Sequence, residues 1–225
     1  MRVLSDSQWT NVTQIYYLFG RVMPLPYERG FFMLRIATIN DVPEMLAIYA
    51  PYVENTTVSF EYVPPTLEEF THRFVSYTRQ FPWLVWEEDG HLLGYAYASA
   101  PFTRAAYGWC AEPTVYLRPE ALGKGIAAQL YAVLEEILWR QGYQVLYALV
   151  CGENGPSRRF HEKQGYHKTA EFPGIGFKMG RWLSLIWYEK RQKMVKSSIS
   201  FPCSWLEIVQ SAESFHDILG KLSIP

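Results

Sequence analysis

Residues 115–128 read Val115-Tyr-Leu-Arg-Pro-Glu-Ala-Leu-Gly-Lys-Gly-Ile-Ala-Ala128. A stretch of strand character ends near Leu117, a turn carrying Gly123 and Gly125 follows, and apolar positions then recur at helical spacing to Gln141, where Gly142 supplies a C-terminal cap. A strand that turns through glycines straight into a helix leaves the first helical N–H groups without partners. The aligned peptide dipoles add positive potential at that end, and glycine lets an anion approach the backbone closely. On these residues alone two readings stand open, an ordinary strand-to-helix turn and a phosphate cradle. Gly123-x-Gly125-x-x-Ala128 fits the dinucleotide fingerprint in its glycines. However, a hairpin and two helices precede it, and Glu153 is too far on to serve as the acidic partner expected about 20 positions downstream. A nucleotide P-loop would need Gly-Lys-Ser/Thr, which is absent.

Working outward, the flanking pattern predicts alternating strands and helices. Residues 33–38 read as a first strand, and Asp41 opens a helix that bends or ends at Pro51. Thr66 and Glu69 form a capping box for a second helix that stops before Phe81-Pro82. Residues 83–88 and 92–99 make a hairpin about Asp89-Gly90. Residues 110–117 form a strand interrupted at Pro113, followed by the helix over 125–141 and a strand over 145–150. A short helix over 156–164 ends at Gly165, and a strand lies near 166–171. A glycine-bearing loop over 173–180 then leads to a last strand over 182–188. The expected fold class is α/β (α+β), a mixed sheet flanked by helices. The expected domain spans 33–190, between an irregular extension at 1–32 and a C-terminal extension at 191–225. The latter carries one amphipathic helix from Trp205 to Leu219, with Ser204 and Glu207 as its capping box.

The chain has 225 residues, long enough for one sizeable core, and 16% of them are aromatic. Lys and Arg number 21 against 22 Asp and Glu, a balance that argues against a nucleic-acid surface. Cys110, Cys151 and Cys203 are odd in number and form no Cys-x-x-Cys pair. The reading is therefore no disulfide framework, no metal site and a cytoplasmic compartment. No apolar run reaches the roughly 18 residues of a membrane span, and Asp6 with its polar neighbours stands where a secretory signal would be apolar.

The glycine turn after a strand, the following helix and strand, and Asn154-x-x-Ser157 before a short helix together resemble the GCN5-related N-acetyltransferase (GNAT) superfamily. Further segments narrow the resemblance to the phosphinothricin and methionine sulfoximine (methionine sulfone) acetyltransferases. They are Tyr95-Ala-Tyr-Ala, Arg104-Ala-Ala-Tyr107, Trp109-Cys-Ala-Glu112, Val115-Tyr116, His161-Glu-x-x-Gly165-Tyr166 and Gly176-Phe-Lys-Met-Gly-Arg-Trp182. The likeness covers about 33–189. It implies a GNAT-type, mostly antiparallel twisted sheet, acetyl-CoA as co-substrate and a homodimer. The implied reaction is acetyl transfer to the α-amine of a small amino acid or toxic analogue. Other acceptors in view are a protein N-terminus or a polyamine, and a non-catalytic acyl-CoA-binding module is the alternative of another class.

The resemblance also implies roles. Glu112 would be the base, with a pKa raised between Tyr107 and Trp109. His161 would be a proton donor or relay. The backbone of Val115, Tyr116 and Leu117 would pair with the pantetheine arm, and Gly123, Lys124, Gly125, Ile126, Ala127 and Ala128 would hold the pyrophosphate. Asn154 would bond the arm from its other side. Phe102, Thr103 and Arg104 would flank the acceptor opposite Glu112, Pro113 and Thr114, with Arg104 forked on a carboxylate. Phe60, Tyr107 and Trp109 would line the pocket, and the loop bearing Lys178 and Arg181 would close over it or cross to a partner. The chain departs from the family at Leu122, where Arg or Gln is usual, and at Ser184, where Asp is usual.

Overall fold

The computed structural model describes residues 32–192, 200–209 and 212–222. Seven strands form one sheet: β1 (Phe32–Ile36), β2 (Trp83–Glu88), β3 (His91–Ser99), β4 (Cys110–Leu117), β5 (Val145–Cys151), β6 (His167–Lys178) and β7 (Arg181–Arg191), in the order β1-β2-β3-β4-β5-β7-β6. Every neighbouring pair is antiparallel except β4 with β5. Helices α1 (Val42–Asn55) and α2 (Leu67–Tyr77) cover one face, and α3 (Ile126–Gln141) covers the other, with α4 (Gly155–Lys163) following β5. The period of two divides the sheet's side chains between these layers. Trp83, Val85 and Tyr95 pack with Met45, Tyr49, Phe70 and Phe74, whereas Leu84, Ala96 and Leu146 pack with Leu130, Leu134 and Leu138. Among the described residues no helix is long and apolar enough to cross a membrane, and no cluster of His, Cys, Asp and Glu could hold a metal.

Local chemistry accounts for the boundaries that form as expected. Thr66 Oγ1 accepts from the Glu69 N–H and Glu69 returns a bond from the Thr66 N–H, so α2 starts there. Asp89 and Gly90, with φ of 49° and 80°, make the two-residue hairpin turn. Gly142, at φ 106°, ends α3.

Other boundaries differ from the sequence reading. Of the two outcomes open at Pro51, α1 does not end there but continues to Asn55, since Pro51 lies on the solvent side, where water can meet the carbonyl that lacks its donor. β4 is unbroken at Pro113, which stays in register opposite Ala98. The loop expected over 173–180 is mostly strand: β6 continues to Lys178, a register shift between Phe172 and Gly176 takes up Pro173 and Gly174, and the turn shrinks to Met179-Gly180. In the C-terminal amphipathic segment α5 (Trp205–Val209) and α6 (Ala212–Lys221) are helical as expected, and 210–211 lie outside the described residues. Ser204 Oγ caps the first through the Leu206 N–H rather than through Glu207. Trp205, Val209, Phe215 and Ile218 join the α3-side core. The N-terminal extension expected over 1–32 lies, up to residue 31, outside the described residues.

Candidate active site

β4 and β5 pair only at Cys110 with Val145 and at Ala111 with Leu146. Beyond that point β4 stays with β3 while β5 stays with β7, and a gap opens between them. Pro113 supplies the local reason. Tyr131 Oη donates to the Pro113 carbonyl at 2.7 Å, so this residue turns its backbone away from β3 and toward the side where β5 would pair. Having no N–H, it offers no donor with which to continue the ladder. By the strand's alternation Val115, two residues on, turns its N–H and C=O into the gap. The lining comprises Val58, Glu112, Pro113, Thr114, Val115 and Tyr116 on one side. Facing them are Tyr131, residues 148–151, Asn154, Ser157 and His161.

α3 begins past the Leu117 end of β4 and runs back along the strand, which brings Tyr131 level with Pro113. Gly123 and Gly125 have φ of 76° and 83°, and a Cβ on either would meet nothing within 4 Å. The space before the helix N-terminus is therefore open. The Ala128 N–H bonds back to the Gly125 carbonyl at 3.1 Å, while Ile126 and Ala127 have no preceding helical carbonyl to meet. A turn of this geometry fits a phosphate, and the β4–β5 gap leading from it fits an extended amide-bearing arm such as that of acetyl-CoA. Leu122 is exposed and adds no donor.

Glu112 is largely shielded from water, and burial pushes its carboxyl up to about 7. Tyr97 and Tyr131 are among the groups that feel its charge. The expected wall of Tyr107 and Trp109 is not what surrounds it. Trp109 lies in the turn before β4 and stacks on Phe201. Tyr107 is 44% exposed and packs on Phe102 instead.

His161 is 5% exposed. Its Nδ1 lies 2.8 Å from the Ser157 carbonyl. Because a carbonyl can only accept, Nδ1 carries the hydrogen, and the unprotonated Nε2 lies 3.0 Å from Tyr131 Oη, whose single hydrogen is directed to the Pro113 carbonyl and can turn to Nε2 only by leaving it. Burial lowers its pKa to about 4, so the ring is neutral at pH 7. We expect ¹⁵N spectra of imidazole-labelled protein to show one His ring held as the Nδ1–H tautomer from pH 6 to 8, titrating only near 4. A midpoint at or above 6 for His161 would contradict this arrangement. Tyr131 is the residue that sequence reasoning missed. It sits in the apolar stripe of α3 and reads as core, and only the packing of α3 on β4 brings its hydroxyl between Pro113 and His161.

The other expected residues divide. Glu112, Pro113, Thr114, Val115, Tyr116, Asn154 and His161 line the gap. Asn154 also caps α4, accepting from the Ser157 N–H at 3.1 Å. Phe102, Thr103 and Arg104 stand outside that lining, on the β3–β4 connection. Phe102 packs on Tyr147 and Trp187, while Thr103 and Arg104 are exposed. The connection still flanks Glu112, because Ser99 at its start is the β3 partner of Glu112. The β6–β7 hairpin turns onto its own chain. Lys178 is buried and donates to the Val53 and Ser59 carbonyls at 2.7 Å each. Gly176 sits against Phe60, with no room for a side chain. Val58, beside these anchors, is thereby held at the gap. Arg181 is exposed and pairs with Glu153 at 2.9 Å. Ser184 accepts the Gly152 N–H at 2.8 Å through its carbonyl.

Comparison with known proteins agrees with this geometry. The family model described as an acetyltransferase (GNAT) domain matches residues 34–187. A phosphinothricin N-acetyltransferase of Alcaligenes faecalis is 38% identical over 160 residues, covering 68% of this chain and 79% of that protein. An L-methionine sulfoximine/L-methionine sulfone acetyltransferase of Pseudomonas aeruginosa is 34% identical over 154 residues, 68% of this chain and 90% of that protein. Among solved structures, a GNAT superfamily phosphinothricin acetyltransferase of Sinorhizobium meliloti in complex with acetyl-CoA is 31% identical. It superposes with a TM-score of 0.70 and covers 75% of this chain and 95% of that one.

Proposed function

The chain belongs to the GNAT acetyltransferase family, and from that premise we propose that it acetylates the α-amine of a small amino acid or a toxic analogue of one. Phosphinothricin, methionine sulfoximine and methionine sulfone define the substrate class, and detoxification is the role. The observation that carries the reading is a carboxyl, Glu112, with a pKa of about 7 in the gap beside a glycine-led helix N-terminus.

Acetyl-CoA, when bound, supplies the acetyl group as a thioester. The N–H groups at the start of α3 hold the pyrophosphate, with Lys124 in the turn beside them. Val115 offers its N–H and C=O to the arm as a strand partner would. Glu112 takes the proton from the acceptor's ammonium group, and a base with a pKa near the working pH is best matched to that task. Since His161 is neutral, the proton needed on the leaving side is held on Tyr131 Oη, which donates it to the Pro113 carbonyl at rest and has His161 Nε2 3.0 Å away, rather than on an imidazolium. Arg104, exposed beside the site, is the partner for the acceptor's carboxylate.

The test is thiol release from acetyl-CoA by the full chain, followed by mass analysis of the product. The panel holds the three analogues, ordinary amino acids, polyamines and peptides with free N-termini. We expect saturable release and an N-acetylated product with at least one of the three analogues. Turnover confined to polyamines or peptides would overturn the acceptor class while leaving the family untouched.

A further inference from the structure

The family match ends at residue 187, yet residues 200–205 make contacts that converge on the loop beside Glu112. Phe201 stacks on Trp109 with ring centroids 4.5 Å apart and planes 19° from parallel. Trp109 Nε1 donates to the Ser200 carbonyl at 2.8 Å. The Phe201 ring also lies so close to Gly108 that a Cβ there would come within 3.0 Å of it. Three further bonds fix this segment from behind. The Cys203 N–H donates to the Gln141 carbonyl, Gln141 Nε2 returns a bond to the Cys203 carbonyl, and Trp205 Nε1 donates to the Thr78 carbonyl. Trp205 is buried in the α3-side core, so the segment is tied down at the helix end and presses its free aromatic ring on Gly108 and Trp109.

Those two residues end the β3–β4 connection that carries Phe102, Thr103 and Arg104. The other end of the connection is anchored by Phe102 on Tyr147 and Trp187. Between the two anchors its own bonds are local: the Tyr107 and Gly108 N–H groups donate to the Arg104 and Ala105 carbonyls. Cys110, where β4 begins, is two residues from Glu112. We propose that residues 200–205 act as a strap that fixes the acceptor-side loop, and that Phe201 is the positioning residue through which it does so. A segment beyond the matched family domain thereby sets how the acceptor is held. The kinetic part of this proposal rests on the acetyl-transfer reading, whereas the ordering of the loop does not.

Phe201→Ala in the full chain tests both parts, because Phe201 is 64% exposed and its removal opens no core. Amide exchange of residues 103–109 should speed up by about tenfold or more in F201A, with residues 113–117 and α3 unchanged. Phe201→Tyr, which keeps the ring, should match the parent. With an accepted amine, the KM for that amine should rise by about tenfold, while kcat and the KM for acetyl-CoA stay within about twofold. Unchanged exchange over 103–109, or equal acceleration across β4 and α3, would overturn the strap. A parallel rise in both KM values would overturn its role toward the acceptor. If no amine on the panel is acetylated, the exchange result still decides whether the strap holds the loop, so the two readings fail separately.

Discussion

Glu112→Gln is expected to lower kcat by about 10²–10⁴-fold, the range for removing a general base, while acetyl-CoA affinity stays unchanged. The amide keeps the shape of the carboxyl but cannot take a proton. The same substitution should stabilise the fold, in a way that depends on pH. Burial raises the carboxyl from its ordinary 4.5 to about 7. Between those values the folded chain binds a proton that the unfolded chain has lost, so stability falls as the pH rises through the window. Above 7 the whole cost remains, of the order of 3 kcal/mol for a shift of this size. The variant should therefore melt above the parent at pH 8 and alongside it at pH 4. Full turnover in the variant would remove Glu112 from the chemistry, and a matching loss of acetyl-CoA affinity would mean that the gap itself had been damaged.

Gly125→Val carries the second large effect, on the co-substrate. At φ 83° a β-branched residue costs roughly 1–2 kcal/mol in backbone strain. Nothing of the protein lies within 4 Å of the added Cβ, so the chain itself raises no clash. What the side chain fills is the open space before the α3 N-terminus, and the KM for acetyl-CoA should rise by about 100-fold if a pyrophosphate must enter there. Gly180→Val is the control. Gly180 has φ 74° and equally open surroundings, but it lies in the β6–β7 turn. Strain alone would make the two variants alike in stability, and equal KM values for acetyl-CoA would refute the cradle.

Much of the fold is written in short-range chemistry. The Thr66–Glu69 box, the Asp89-Gly90 turn and the Gly142 cap each depend on residues within a few positions of one another, and each forms as its sequence predicts. The stretch at 115–128 likewise gives strand, turn and helix in order. What was not legible depends on contacts between distant elements. β6 absorbs Pro173 and Gly174 because β7 supplies a partner strand on either side of them. Tyr131 has the periodicity of a core residue, and nothing near it in sequence announces Pro113 or His161. His161 looked available as an acid because its burial, which keeps it neutral, arises from α3, α4 and β7 together. Trp109 looked like a wall for Glu112, yet its stacking partner stands far along the chain, past the last strand.

The measurement closest to the central claim, that half-buried Glu112 deprotonates the acceptor amine, is the pH dependence of kcat/KM for the acceptor at saturating acetyl-CoA. The carboxylate form is the active one, so kcat/KM should climb with pH through a midpoint of about 7. The residual rate of Glu112→Gln should lack that limb. A wild-type profile flat down to pH 5, or the same limb retained in the glutamine variant, would contradict the account.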